Sequence, residues 1–304
     1  MSVYPLRFAV VGHPVQHSAS PAMHMAALRS LGLPHLYEAI DCPTRGSFER
    51  VLGLLKRGYF YGLNVTAPLK GLAVELAGAS DPETLRIGAA NTLRLENGVI
   101  QASNTDVLAM VEQIQGAQGR LGVALILGSG GAARAAVEAC ARLGVRVVGV
   151  TSRSWTNSEE LYESAAAQIF RERRALTFPW PEGVEEDERT KGSIALQLQW
   201  KEFAGMADLI IQATSAGLTE ENPGDAVAAA IPWNKVPAHA VAYELVYGPT
   251  PTPFARAAQR RGLRLLDGVE LLARQGAHSL ARWLQRPAPY EVMLEAARNR
   301  VQGR

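Results

Sequence analysis

The stretch 123–154, VALILGSGGAARAAVEACARLGVRVVGVTSRS, decides the fold of this chain. Its apolar start, 123–127, predicts a buried strand that runs into small residues and then into a helical run ended by Gly144. A second β-branched run follows at 145–150. Because strand, helix and strand in this order form one βαβ unit, the stretch predicts a parallel sheet of the Rossmann type.

The turn after the first of these strands suits a dinucleotide. Gly128, Gly130 and Ala133 give the pattern GxGxxA. Glycines let a pyrophosphate approach the backbone, and the N-terminus of the following helix offers free N–H groups. A plain strand-to-helix turn would use the same residues, but the complete βαβ context favours a nucleotide site. The predicted contacts come from Gly128, Ser129, Gly130, Gly131 and Ala132.

The end of the second strand indicates which nucleotide binds. An acidic residue about 20 positions after the glycines holds the ribose hydroxyls of NAD. This chain has no acidic residue there and carries Arg153 instead. A guanidinium pairs well with a 2′-phosphate, which an aspartate would repel. We therefore predict NADP as the cofactor, with hydroxyl contacts from Ser152 and Ser154; an exposed surface arginine is the alternative interpretation of Arg153.

The N-terminal part of the chain also alternates strands with helices. Strands are predicted over 7–12, 36–40 and 59–65, and helices from Ser20 and over 47–56. Asn97-Gly98, between two β-rich runs, is a strong hairpin signal. This alternation predicts an open α/β domain.

Beyond the βαβ unit the pattern is less regular. We interpret 155–200 as an insertion with a helix, a loop with two prolines and a solvated charge run at 185–188. Regular structure returns with strands at 209–213 and 241–246 and amphipathic helices at 268–285 and 290–301.

Four polar segments beside apolar strands carry groups suited to chemistry. They are 17–21 (HSASP), 64–70 (NVTAPLK), 90–92 (ANT) and 104–106 (NTD). Ligands bind at strand ends in open α/β sheets, and hydroxyl and amide side chains both donate to and accept from a polyol. Lys70 and Asp106 are the only charged pair among these segments. Since a ketone that becomes an alcohol needs a proton at oxygen as hydride reaches carbon, the pair predicts a proton donor oriented by a carboxylate.

Taken in chain order, the motifs resemble those of one family. They are HSASPAMH, GLNVTAPLK, GAANT, SNTD, GSGGAA, ATSAG, ELVYGPTPT and DGVELLARQGA. In this combination, the chain resembles the shikimate dehydrogenase family over nearly its whole length. The resemblance implies an open α/β substrate domain over 1–106, a Rossmann NADP-binding domain over 107–246 and a C-terminal segment, 247–304, whose helix returns to the first domain. It also implies reversible reduction of 3-dehydroshikimate to shikimate with NADPH.

The resemblance further implies roles for individual residues. Lys70 and Asp106 match the family's catalytic pair, Arg153 matches the residue that meets the 2′-phosphate, and Thr214 in ATSAG joins the nucleotide contacts. The implied substrate ligands are Ser18, Ser20, Thr66, Asn91 and Gln275, with Asn64 and Tyr247 nearby.

Structural roles are open alternatives at several of these positions. Ser20, before Pro21, suits a helix N-cap, and Asp106 could cap the helix that follows it. Asn64 and Asn91 could hold turns. The remaining alternatives are a solvated helix-end lysine at Lys70, a buried aromatic at Tyr247 and a surface glutamine at Gln275.

Departures from the family's usual residues keep other functions open. Ala109, Met25 and Gln212 stand where the family commonly has Gly, Asn and Asn, and Ser152 and Ser154 flank Arg153 where Asn and Thr are usual. The nearest alternative is a related dehydrogenase acting on quinate or an amino-substituted ring acid, with NAD or NADP. A non-catalytic sensor of ligand and nucleotide is a more distant alternative.

Composition and charge narrow the class of protein. A net charge of +2 over 304 residues gives no reason to expect nucleic acid or an anionic membrane as partner. Cys42 and Cys140 lack metal-type or redox-type spacing, which predicts no metal site and a reducing compartment. No apolar run is long enough to span a bilayer. We expect a cytoplasmic enzyme, monomeric or homodimeric, whose partner is a small-molecule substrate.

Overall fold

The chain forms two compact units. The structure is a computed structural model and describes residues 5–117, 119, 121–181, 199–218 and 221–303. Met1–Ala109 and Val269–Arg304 make the first unit, and Met110–Gly268 make the second. The chain therefore leaves the first unit once and returns to it with its C-terminal residues.

A six-stranded mixed sheet forms the centre of the first unit. Its strands are β1 (Arg7–Gly12), β2 (Leu36–Asp41), β3 (Gly62–Val65), β4 (Ala79–Ser80), β5 (Thr92–Glu96) and β6 (Val99–Ser103). The order across the sheet is β2-β1-β3-β5-β6-β4, and β5 runs antiparallel to both of its neighbours. Asn97 and Gly98 have φ angles of 49° and 78° between β5 and β6, which confirms the predicted hairpin turn.

A parallel six-stranded sheet forms the centre of the second unit. Its strands are β7 (Val123–Leu127), β8 (Val147–Thr151), β9 (Leu176–Phe178), β10 (Leu209–Gln212), β11 (Val241–Glu244) and β12 (Arg264–Leu266). The order is β12-β11-β10-β7-β8-β9, and every pairing is parallel. This is the doubly wound Rossmann order, in which the direction of winding reverses between β7 and β10. The predicted fold class is confirmed.

Helices cover these sheets. Those that begin in the first unit are α1 (Ser20–Ser30), α2 (Arg45–Lys56), α3 (Lys70–Leu76), α4 (Pro82–Ile87) and α5 (Asp106–Gly116). The helices of the second unit whose two ends are both described are α6 (Gly131–Arg142), α7 (Ser158–Glu163), α8 (Ala165–Glu172), α9 (Asp225–Ala229) and α10 (Pro253–Arg260). The last two are α11 (Gly268–Leu284) and α12 (Tyr290–Val301). No helix in the described ranges is long and apolar enough to cross a lipid bilayer.

Strand β1 divides the first unit's core into two layers, because successive side chains of a strand point to opposite faces. One layer includes Phe8, Val10, Met23, Trp283 and Met293, and the other includes Ala9, Val11, Phe48, Leu52 and Leu63. Helix α11 packs so closely on the first face that a Cβ at Gly62 would lie 2.4 Å from the Trp283 ring. The C-terminal helices are therefore part of this unit's core.

A buried carboxylate ties together three strands of the second unit. Asp208 Oδ2 accepts hydrogen bonds from the backbone N–H groups of Gly122 (2.6 Å) and Val123 (2.9 Å). Its Oδ1 lies 2.9 Å from His239 Nε2. These contacts fix the starts of β7, β10 and β11. The predicted nucleotide loop lies at the opposite, carboxyl ends of the strands.

Two expectations about the second unit need correction. The C-terminal segment was predicted to begin at residue 247, but 253–266 form α10 and β12, and β12 pairs with β11, so the second unit extends to Gly268. The predicted insertion at 155–200 was expected to hold a helix, a loop and a charge run but no strand, whereas Leu176–Phe178 form β9, which pairs with β8 as the edge of the sheet. The acidic run at 185–188 lies outside the described residues.

Candidate active site

Lys70 and Asp106 form a close ion pair in the first unit. Lys70 Nζ donates to Asp106 Oδ2 at 2.6 Å, and the two side chains are 19% and 7% exposed. Lys70 is the first residue of α3 and Asp106 is the first residue of α5. An ammonium group has three N–H donors, and Lys70 makes no other hydrogen bond to the residues that the structure describes. Two donors therefore remain for a ligand.

The amide of Asn91 fixes the second oxygen of the carboxylate. Asn91 Nδ2 donates to Asp106 Oδ1 at 2.8 Å and also lies 2.9 Å from Thr105 Oγ1 and 3.2 Å from Gln275 Oε1. Its Oδ1 accepts from the backbone N–H of Thr105 at 2.8 Å. Asn91 is only 2% exposed. Its amide therefore has one orientation, with nitrogen toward the carboxylate.

Asp106 does not cap the helix that it begins. The backbone N–H groups of Asp106 and Val107 donate to Asn104 Oδ1 at 2.9 and 3.4 Å. Asn104 thus provides the cap, and its own Nδ2 donates to Ala89 O at 2.8 Å. The capping alternative for Asp106 is wrong, because its carboxylate is committed to Lys70 and Asn91.

Three predicted ligands follow the ends of β1 and β3. Ser18 Oγ accepts from the backbone N–H of Ser20 at 3.2 Å, just before α1. The N-cap position of α1 is Ala19, without a side-chain cap, so Ser20 is not the N-cap. Ser20 is buried, and its hydroxyl makes no hydrogen bond to any described residue. Thr66 follows β3, and its backbone N–H donates to Val11 O at 2.9 Å.

Asn64 and Gln275 complete the buried polar cluster. Asn64 lies in β3, where it pairs in register with Val10 of β1, and it is 4% exposed. Its Nδ2 donates to Asn91 O at 3.0 Å and to Ser279 Oγ at 2.9 Å, so both N–H groups are used within the protein. Gln275 lies on α11 and is 9% exposed, which excludes the surface alternative. The turn alternatives for Asn64 and Asn91 are also wrong, since both amides bind across elements.

Four residues of this cluster were given no individual role from the sequence, although Thr92 and Thr105 lie in the polar segments 90–92 and 104–106. They are Tyr37, Thr92, Thr105 and Ser279, whose side chains hydrogen-bond to Asn64 or Asn91 or to both. Helical spacing gave a signal for Ser279, which lies one turn after Gln275 and therefore on the same face of α11. Tyr37 gave none, because a tyrosine in a half-buried strand is ordinary.

Tyr247, the last predicted substrate residue, lies in the second unit in the segment between β11 and α10. A buried carboxylate anchors both ends of this segment. Glu244 Oε2 accepts from Thr252 Oγ1 at 2.5 Å, and Oε1 accepts from the backbone N–H of Val246 at 3.3 Å. Burial raises the pKa of Glu244 from 4.5 to about 7, although both hydrogen bonds oppose the shift.

Glu244 makes stability depend on pH. The folded state keeps the proton up to about pH 7 while the unfolded chain releases it near 4.5. The stabilising contribution is therefore complete below the unfolded pKa and is lost as pH rises through the folded pKa. We expect the free energy of unfolding to fall by about 3 kcal/mol across this window. Glu244→Gln should remove this fall in the free energy of unfolding. Urea unfolding of parent and variant at pH 5 and pH 8 would measure it. An equal fall in both proteins would contradict the assignment.

The nucleotide loop of the second unit has the geometry of a phosphate cradle. Gly128 has φ 125°, and a Cβ there would lie 2.7 Å from Ala213 O, so only glycine fits between β7 and β10. A Cβ at Gly130 would meet nothing within 4 Å, which leaves open space above the start of α6. Gly131 and Ala132 form the first turn of α6, whose N–H groups have no intrahelical acceptor.

Polar side chains border this loop. Ser152 Oγ lies 2.9 Å from Ser129 Oγ and 3.1 Å from Ser154 Oγ. The exposed Arg153 donates from Nη1 to Asn222 Oδ1 at 3.0 Å. Thr214 follows β10, and its Oγ1 accepts from the backbone N–H of Ala216 at 3.1 Å. The predicted nucleotide residues thus lie at the carboxyl ends of β7, β8 and β10.

Gln212 takes the place of the family's usual asparagine without breaking this turn. Its Oε1 accepts from the backbone N–H of Thr214 at 2.5 Å, and its Nε2 donates to Ala216 O at 2.9 Å. The longer side chain is buried and fully used in holding the turn after β10. The described residues contain no group of three or more His, Cys, Asp or Glu side chains placed to hold a metal ion.

Comparisons with known proteins agree with this arrangement. Residues 10–93 match the shikimate dehydrogenase substrate binding domain, and residues 268–298 match the shikimate 5′-dehydrogenase C-terminal domain. A shikimate dehydrogenase (NADP(+)) of Thermus thermophilus is 38% identical over 296 residues, which cover 96% of this chain and 98% of the relative. A shikimate dehydrogenase (NADP(+)) of Prochlorococcus marinus is 31% identical, with 95% of each chain covered.

A solved structure is similar to this chain in fold as well as in sequence. It is a shikimate 5-dehydrogenase from Thermus thermophilus in complex with NADP(H) and shikimate. The TM-score is 0.78 at 35% identity, and the match covers 97% of this chain and 99% of that one. With relatives above 30% identity aligned over nearly their full lengths, this chain belongs to the shikimate dehydrogenase family.

Proposed function

We propose that this protein catalyses the reversible reduction of 3-dehydroshikimate to shikimate with NADPH. The observation that carries the proposal is the Lys70–Asp106 pair, a protonated donor held at 2.6 Å by a nearly buried carboxylate. Around it lie hydroxyl and amide groups suited to a polyhydroxylated ring acid. Relatives over 30% identical carry the name shikimate dehydrogenase (NADP(+)). The protein is thus an NADP-dependent oxidoreductase.

The nucleotide loop fits NADP. Open space above Gly130 and the free N–H groups of the first turn of α6 suit a pyrophosphate. Ser152, Arg153 and Ser154 would meet the adenosine ribose and its 2′-phosphate, and Thr214 would line the same crevice. When bound, the cofactor supplies a hydride to the carbonyl carbon.

Lys70 delivers the proton that reduction requires. One of its N–H groups is held by Asp106, and a second donates to the substrate carbonyl oxygen. As the carbonyl carbon becomes tetrahedral, its oxygen gains negative charge and takes the proton from Nζ. In the reverse direction the neutral amine that this step leaves on Lys70 accepts the hydroxyl proton. Asp106 keeps the ammonium directed at that oxygen and accepts from a neighbouring substrate hydroxyl.

The remaining substrate contacts come from residues around the pair. Ser18 and Ser20 hold the ring carboxylate, and the Ser20 hydroxyl has no other partner among the described residues. Thr66, Asn91 and Gln275 line the ring hydroxyls, while Asn64 has no N–H left and can only accept. Tyr247 is proposed as a further substrate contact. We also propose a cytoplasmic enzyme that binds no nucleic acid and works as a monomer or homodimer.

Steady-state assays with each acid and each cofactor test the function. We expect nicotinamide absorbance to rise when the protein is mixed with NADP⁺ and shikimate, with a higher kcat/KM than for quinate or for NAD⁺. A higher kcat/KM with quinate would make the protein a quinate dehydrogenase of the same family. Tight binding of both ligands without any absorbance change would instead identify a sensor.

Arg153 should decide between the two nicotinamide cofactors. We expect Arg153→Ala to raise the Kd for NADP⁺ about ten- to a hundredfold, because a charge-assisted hydrogen bond contributes about 1.5–3 kcal/mol. The Kd for NAD⁺ should hardly change. Calorimetric titration of each cofactor measures both values, and Arg142→Ala, at the far end of α6, is the control. Equal weakening of NADP⁺ and NAD⁺ binding would contradict a 2′-phosphate contact.

A further inference from the structure

Ser279 lies at the centre of the buried polar cluster. It is fully buried on α11, and its Oγ lies 2.7 Å from Thr92 Oγ1 and 2.9 Å from Asn64 Nδ2. The same oxygen lies 3.0 Å from the backbone oxygen of Gln275 and 3.2 Å from Thr105 Oγ1. A single hydroxyl therefore contacts four partners, more than its one proton and two lone pairs can serve fully.

Proton counting and distance together favour one arrangement of these bonds, since Ser279 can donate either to Thr92 at 2.7 Å or to the Gln275 backbone oxygen at 3.0 Å. Asn64 Nδ2 can only donate, so Ser279 Oγ accepts there. Thr92 Oγ1 donates to Asn91 Oδ1 at 2.9 Å, which commits its single proton. With that proton committed, the single proton of Ser279 serves the 2.7 Å contact with Thr92, which is shorter than its 3.0 Å contact with the Gln275 backbone oxygen. Thr105 Oγ1 is left to donate to the Gln275 backbone oxygen at 3.0 Å.

These bonds form a directed chain that ends at the catalytic carboxylate. It begins with Tyr37, whose hydroxyl donates to Asn64 Oδ1 at 2.7 Å. From there each group donates to the next, in the order Tyr37, Asn64, Ser279, Thr92, Asn91 and Asp106. Bonds in such a chain polarise and strengthen one another in a low-dielectric interior. The chain therefore favours the Asn91 orientation that presents N–H to Asp106.

We propose that Ser279 is a positioning residue for the reaction, a proposal that rests on the function proposed above. Its hydroxyl orients the Asn91 amide through Thr92, and the Asn91 amide holds Asp106 and hence Lys70. Ser279 also lies one helical turn from Gln275, and its contacts with Asn64 and Thr92 join α11 to β3 and β5. Ser279 itself makes no contact with substrate.

Removal of the hydroxyl has two local consequences. In Ser279→Ala, Asn64 Nδ2 loses its acceptor at 2.9 Å and turns toward Thr92 Oγ1, which is already within 3.4 Å. Thr92 then shifts away from Asn91, whose Oδ1 keeps the Thr105 N–H at 2.8 Å but loses the Thr92 donor, so the amide rotates more readily. A rotated amide places Oδ1 against the carboxylate of Asp106, two acceptors facing each other. The ion pair then loses the geometry needed for proton transfer.

Kinetics on Ser279→Ala provide the first test. We expect kcat to fall about tenfold and the shikimate KM to rise several-fold, since sub-ångström misplacement of reacting groups has effects of this size. The KM for NADP⁺ should stay constant. The primary isotope effect with NADPH deuterated at the transferred position should increase, because the chemical step becomes slower. A mere loss of folded protein changes neither the isotope effect nor the shikimate KM.

Two further variants test whether the effect of Ser279→Ala depends on the hydrogen-bonded chain. Tyr37→Phe breaks the chain at its far end and should shift the isotope effect in the same direction by a smaller amount. Thr84→Val is the matched control, because Thr84 is also fully buried but its hydroxyl has no hydrogen-bond partner among the described residues. It should leave all kinetic values unchanged. An active Ser279→Ala enzyme with wild-type shikimate KM and isotope effect would overturn the proposal.

A measurement without turnover separates this proposal from the proposed function. In protein labelled with ¹⁵N-asparagine, the Asn91 side-chain N–H signals, assigned by their loss in Asn91→Ala, should exchange slowly with solvent. They should exchange at least about tenfold faster in Ser279→Ala and not in Thr84→Val. Unchanged exchange would overturn the positioning role even if shikimate is turned over. Absence of turnover in the parent protein would overturn the function but not this result.

Discussion

Lys70→Ala is expected to lower kcat for shikimate oxidation about a thousandfold while the shikimate KM changes by less than a few-fold. General acid–base catalysis contributes about 10²–10⁴ in rate, and Lys70 is the only cationic group of the cluster that holds Asp106. The ground-state contacts proposed for Ser18, Ser20 and Gln275 are unaffected by the change. An interaction used only in the transition state lowers kcat without weakening binding.

The measurement needs full saturation curves at several pH values for the variant and its control. Lys56→Ala is a suitable control because Lys56 is an exposed lysine at the end of α2 in the same unit. It should behave like the parent enzyme. A Lys70→Ala variant with near-normal kcat and a greatly raised KM would assign Lys70 to binding rather than to proton transfer.

Sequence patterns predicted the fold where local rules and tertiary packing agree. The βαβ unit at 123–154 and the Asn97-Gly98 hairpin were recognised because glycine positions and hydrophobic spacing determine them locally. The edge strand β9 and the last strand β12 were not recognised. Each has only three residues, and their strand state comes from pairing with β8 and β11 rather than from their own composition.

In the candidate site, too, the sequence predicted what local patterns determine and not what depends on contacts between distant elements. The spacing of NVTAPLK and SNTD pointed to Lys70 and Asp106, and the structure joins them directly. The sequence could not show that Asn104, rather than Asp106, caps α5, because both residue types suit a cap. Nor could it show Ser279, since its importance depends on four partners spread over β3, β5, the start of α5 and α11.

Asp106→Asn should lower kcat nearly as much as Lys70→Ala does. The carboxylate accepts from Lys70 on one oxygen and from Asn91 on the other, both within 2.8 Å. An amide in its place must direct its own NH₂ toward one of these donors, so one of the two contacts becomes donor against donor. The Lys70 ammonium also loses its counter-charge in a site that is largely buried. We expect kcat to fall about a hundredfold or more.

A double-mutant cycle makes this expectation specific to the pair. If Asp106 acts through Lys70, its substitution in a Lys70→Ala background should cost little further activity, because residues that act as a unit are not additive. Asp225→Asn, at an exposed carboxylate in the first turn of α9, controls for the chemical change alone. Full additivity of the two losses would mean that Asp106 and Lys70 act independently. In that case the 2.6 Å contact would be structural, and Asp106 would contribute to the rate by another route than through Lys70.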